Sequence, residues 1–148
     1  MNKSPVELRV AGVQPAPQGS KTLYKGNFVE SSKKLEPFRR AIGQAVIDHM
    51  EQTGDTTPFT NPVEVEATFV MPRPKTVKRA WPSVMPDLDK LCRALGDSVS
   101  LDRYCNDQPL MADDALIVTW HAQKVYGTPE EMGVYFTVRE IELPWHLK

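Results

Sequence analysis

The chain has 148 residues, 41% of them apolar and 25% charged, and its 18 basic and 19 acidic side chains leave a formal net charge of −1. That length fits one domain, and the ordinary composition excludes collagen-like, wholly disordered and membrane-spanning classes, since no apolar run approaches the ~20 residues a bilayer crossing needs. Cys92 and Cys105, without CxxC spacing, support neither a disulfide framework nor a zinc knuckle, and the first residues lack the apolar core of a secretory signal, so a cytoplasmic protein with no membrane partner is expected.

Val6, Leu8 and Val10 alternate with Glu7 and Arg9, the period of a half-buried strand. From Gln14 to Ser32 there is no apolar periodicity, and Pro15, Pro17, Gly19 and Gly26 punctuate a run containing Lys21 and Lys25. Residues 14–34, closing on Lys33 and Lys34, therefore read as a basic loop. Pro37 suits a first helical position, and Phe38, Ile42, Ala45, Val46, His49 and Met50 then recur at helical spacing until Gly54. Val63, Val65, Ala67, Phe69 and Met71 predict a second strand that stops at Pro72.

Residues 72–86 hold four of the 13 prolines, the bases Arg73, Lys75, Lys78 and Arg79, and the single large aromatic Trp81; a mobile basic arm is expected. Leu88, Leu91, Cys92, Leu95 and Val99 form the apolar stripe of a second helix opening around Pro86 to Asp89. Ser100 to Ala112 lacks periodicity and reads as a connection. Leu116, Val118, Trp120 and Ala122 alternate into a third strand ending near Tyr126, and after a turn Val134, Phe136 and Val138 mark a fourth. The order βαβαββ predicts an α/β (α+β) domain spanning residues 1–148, with a single mixed sheet and two main helices.

Divided by segment, the charge is far from neutral: residues 1–45, 46–70, 71–93 and 94–148 carry balances of +5, −5, +4 and −5. Basic segments are the footprint of a phosphate-bearing partner. Acids concentrate at Asp87 and Asp89, opening the second helix, and at Asp113 and Asp114, before the third strand. Either pair alone reads as a helix start or a turn. Together, set among Lys and Arg, they are what a hard divalent cation acting on a phosphate requires, because Mg²⁺ takes one or two carboxylates and leaves its other positions to water and phosphate oxygens. Asp89, Arg93 and Asp97 are four apart and share a helical face, so Arg93 can orient Asp89 or reach a phosphate beside the metal. His49, His121 and His146 show no metal-ligand spacing, and Cys92, on the apolar stripe, reads as core.

Pro86-Asp87-Leu88-Asp89-Lys90-Leu91, a base four residues after the second Asp, Asp97, the later Asp113-Asp114 pair, Lys124-Val125-Tyr126 and the Gly19-Ser20-Lys21 loop resemble the RusA family of Holliday junction resolvases, in order from about Val6 to Val138. The resemblance implies a homodimeric, Mg²⁺-dependent endonuclease that resolves four-way DNA junctions by paired symmetric nicks in recombination and repair. By position, Asp87, Asp89 and Asp114 would be the catalytic metal ligands with Asp113 beside them, and Arg93 stands where the family has a lysine. Arginine keeps the charge and grips phosphate bidentately, but is not readily deprotonated. Lys21, Lys25, Lys33, Lys34, Arg73, Lys75, Lys78, Arg79 and Lys124 are the bases expected on DNA. Two other readings stay open: a non-catalytic junction-binding protein, and a nuclease that cuts flaps or forks.

Overall fold

The computed structural model describes residues 3–18, 21–24, 27–30 and 33–148. In chain order they form β1 (Val6–Ala11), β2 (Lys21–Tyr24), β3 (Asn27–Glu30), α1 (Leu35–Thr53), β4 (Val63–Pro72), α2 (Leu88–Ser100), β5 (Ile117–Gly127) and β6 (Gly133–Glu140). Strands β1, β6, β4 and β5 lie side by side in that order. β6 is antiparallel to both neighbours, whereas β4 and β5 run parallel and are joined through α2, since a parallel pair needs a crossover. This is the mixed sheet with two helices that the alternation predicts.

Helix α1 buries Phe38, Ile42, Val46 and Met50, and α2 buries Leu91, Leu95 and Val99, each at intervals of three and four that hold one face. Those faces meet Val65, Ala67 and Phe69 of β4 and Val134, Phe136 and Val138 of β6, the inward-pointing alternate residues of the two central strands. The alternate set, including Glu66, Thr68, His121 and Tyr135, lines a shallow groove of about 800 Å³ on the sheet's other face, where Arg139 bridges Glu64 and Glu66 at 3.2 and 3.1 Å.

Several local expectations are corrected. Helix α1 opens at Leu35, so Pro37 lies within the first turn, where a missing N–H still costs no helical bond. The supposed loop 14–34 contains an antiparallel hairpin, with Lys21 opposite Glu30 and Tyr24 opposite Asn27; strands of four residues are too short to display a period. Val118 points outward and is 58% exposed, because the β4–β5 register passes from Val63–Ile117 to Glu64–Thr119 and leaves it as a bulge. The connection 100–112 is pinned to the core by Leu110 N–H donating to the Val99 carbonyl at 2.8 Å and Phe59 N–H to the Leu110 carbonyl at 2.8 Å. The basic arm is strapped rather than free. Lys124 of β5 donates to the carbonyls of Val84 and Pro86 at 2.9 and 2.8 Å, and Arg73 and Arg79 lie over the Tyr126 ring at 5.5 and 5.9 Å.

Candidate functional site

Helix α2 begins after the extended residue Asp87, and Asp89 occupies its first turn, where the N–H-rich end of a helix favours a carboxylate. Because Leu91, Leu95 and Val99 face the core, Asp89, Arg93 and Asp97 are left on the opposite, wetter side. Asp114 approaches from the short 3₁₀ turn Asp114–Leu116 that leads into β5. Asp89, Arg93, Gly96 and Asp114 line one cleft of about 600 Å³, with Ile117 and Trp120 among its apolar walls. At Gly96 a Cβ would stand 3.6 Å from Ile117 and 3.8 Å from both Asp114 and Trp120, so helix and turn come close there.

The carboxyls crowd one another. Asp114 is held above its ordinary value, first by burial, then by hydrogen bonds with Asp97 and Asp113 and by their charge. Asp97 is itself anchored from the other side: the buried Arg39 guanidinium of α1 lies 3.6 Å away, and the Gln18 side-chain amide donates to the same oxygen. Arg39 also donates to the Tyr104 hydroxyl at 3.0 Å, and that hydroxyl donates to Glu36 at 2.7 Å. Asp113 accepts the Ala115 N–H at 2.9 Å, which fixes the turn that presents Asp114. Cys92, in the cleft wall, has its thiol pushed up to about 11 by burial and then by the charge of Asp89, so it is inert as a nucleophile near neutral pH.

Residues 12–138 match the family model described as endodeoxyribonuclease RusA. The chain belongs to the RusA family. No individual curated protein matches it. The RusA family is one of endodeoxyribonucleases, and the match takes in α2, the Asp114 turn and the strand that walls the cleft.

Of the acids expected in a RusA site, the fold brings Asp89 and Asp114 to one cleft with Arg93, and sets Asp113 against Asp114. Asp87 is not in the cleft lining; its side chain is 58% exposed and 3.7 Å from Lys90. Among the described residues Arg93 makes no ion pair, because Asp97, four residues on, is taken by Arg39 instead. Lys33, Lys34, Arg73, Lys75, Lys78 and Arg79 are exposed, and Lys34 donates to Gln14. Lys124 is half-buried and occupied with the two arm carbonyls. Lys25, Gly19 and Ser20 lie outside the described residues, as does the side chain of Lys21.

Sequence spacing places Asp97 on the site's face but not its partnership with Asp114, and gives no sign of Arg39 or Gln18, which reach the site from other elements. Two carboxylates on an open cleft beside an arginine suit Mg²⁺, which fills its remaining positions with water and substrate phosphate. Among the described residues no three His, Cys, Asp or Glu side chains are grouped so as to hold a metal ion between them, so substrate and water would have to complete the shell, and no helix is long and apolar enough to cross a membrane.

Proposed function

We propose that this RusA-family chain is a Mg²⁺-dependent endonuclease that resolves four-way DNA junctions in recombination and repair, acting as a cytoplasmic homodimer. The observation that carries the reading is the cleft in which Asp89 and Asp114 share a wall with Arg93. Asp89 and Asp114 would hold the ion, with Asp113 set against Asp114, while Asp87 stands outside the cleft beside Lys90. Bound there, Mg²⁺ supplies an activated water and offsets charge on the scissile phosphate. Arg93 grips the non-bridging phosphate oxygens, where charge grows as the bond breaks. Arg39 and Gln18 keep Asp97 in place, and Asp97 in turn fixes the Asp114 carboxyl. The exposed bases of the 72–86 arm, with Lys33 and Lys34, and with Lys21 and Lys25 from the first basic segment, set the register of the DNA through its phosphates. Two copies about a two-fold axis present two clefts to the two strands that a symmetric resolution must cut.

The test is cleavage of an end-labelled synthetic four-way junction in Mg²⁺ and in EDTA, beside duplex and flap controls. Expected are paired, symmetric, ligatable nicks in the junction that need the metal. Asp89→Asn, checked for folding by circular dichroism, is expected to lose at least a hundredfold in rate while still binding the junction. Unimpaired cutting by Asp89→Asn overturns the site, and preferential cutting of flaps overturns the substrate.

A further inference from the structure

The basic arm carries a feature that phosphate binding does not explain. Trp81, Val84 and Met85 are 59%, 48% and 82% exposed, although large apolar side chains are ordinarily withdrawn from water. They share a turn in which Ser83 N–H donates to the Trp81 carbonyl at 2.8 Å. The segment from Pro72 to Pro86 contains four bases and no acid, so the charge around this apolar turn complements a polyanion. A folded acidic protein would offer carboxylates; single-stranded or unpaired nucleic acid offers phosphates together with flat apolar faces, which is the pairing displayed here.

The turn is also held in a fixed relation to the acidic cleft. Lys124 grips the Val84 and Pro86 carbonyls, on either side of Met85, from the strand whose Trp120 and Ala122 wall the cleft, and Asp87 and Asp89 follow directly in the chain. Strapping a surface-exposed apolar group this firmly serves positioning. We infer that Trp81, with Met85, is a stacking site for a nucleobase unpaired at the branch point of the DNA, holding the branch at a set distance from the scissile phosphate. This rests on the reading of the chain as a branched-DNA nuclease and adds to it the part that distinguishes a branch from a continuous duplex.

The experiment places 2-aminopurine at the branch point of a four-way junction and at the same position of a duplex, with Ca²⁺ replacing Mg²⁺ so that the full-length protein binds without cutting. Wild type is expected to raise the junction's fluorescence at least twofold, as the base leaves its stack, and the duplex's not at all. Trp81→Ala is expected to abolish that rise and weaken junction binding about tenfold, with duplex binding unchanged; Met85→Ala has a smaller effect, and Trp81→Phe restores most of the signal. Both sites are exposed, so thermal melting should be unaltered. If wild type cuts junctions in Mg²⁺ but Trp81→Ala keeps the fluorescence rise and the affinity, the stacking site is overturned and the nuclease reading stands. If wild type neither cuts nor prefers junctions, both fall. A Trp81 emission blue shift on anionic phosphatidylserine vesicles, with no 2-aminopurine response, overturns the inference in favour of a lipid surface.

Discussion

Asp114 is the residue at which the site's chemistry opposes the fold's stability. Its carboxyl contacts Asp97 and Asp113, and the Arg39 guanidinium is directed at Asp97 rather than at it. With its proton held more tightly in the folded chain than in the unfolded one, Asp114 favours folding below about 3.8, and that contribution is lost as pH rises through the raised value. The metal-free protein is therefore expected to melt higher in mildly acidic than in neutral buffer, as far as this group governs it. Asp114→Asn removes the ionisable proton and one negative charge. Scanning calorimetry in EDTA should show a higher neutral-pH melting temperature for the variant and a smaller difference between the two buffers, while cleavage is lost. An unchanged pH dependence would show that the carboxyls do not interact as described. Repulsion of this kind is the cost that the proposed cation site would carry in the absence of its ion.

The two helices show how much an element's environment decides. Both carry a glycine on a packed face, yet the same substitution is expected to act with opposite sign. At Gly43 in α1 a Cβ would fall 1.9 Å from the Tyr104 carbonyl oxygen, so Gly43→Ala must push the Asp102–Tyr104 turn off the helix, at a cost of about 2 kcal/mol or more. At Gly96 in α2 the nearest atoms stand at 3.6 to 3.8 Å, an ordinary contact, and Gly96→Ala should gain about 0.5–1 kcal/mol from helix propensity. Urea denaturation of the two variants decides it; a loss at Gly96 would mean that the cleft wall has no room for the added methyl. Neither sign is legible from a glycine inside an apolar stripe. What is legible is whatever repeats along the chain: α1, α2, β4 and β6 each bury a periodic set, and their residues are the ones that sequence alternation singles out. The β2–β3 hairpin is too short for a pattern, and the Val118 bulge breaks one, so both escape. The Asp-rich half of the cleft is visible because it sits in one helix turn and one strand entry. Its support is not, because Arg39 and Gln18 lie 58 and 79 positions before Asp97 and only the packing of three elements brings them to it.

At the scale of the whole molecule, the small net charge results from the same separation on which the proposed site relies. The segment from Pro72 to Pro86 is purely basic, the cleft beside it is acidic, and the two are joined by a single helix start. A polyanion held by the first can be brought to a cation held by the second without either neutralising the other in the folded chain. Within the arm the four bases are not equivalent. All four are exposed, but Arg73 and Arg79 also lie over the Tyr126 ring and shape the segment. Each lysine that neutralises a phosphate contributes roughly one to the slope of log affinity against log salt, regardless of base sequence or branching. Lys75→Gln with Lys78→Gln is thus expected to reduce that slope by about two, weakening duplex and junction alike, in contrast to Trp81→Ala, which acts on the junction only. Fluorescence anisotropy across a salt series, in Ca²⁺, measures both. An unaltered slope in the double lysine variant would place the DNA path away from the arm, leaving the phosphates to Lys33, Lys34 and the first basic segment.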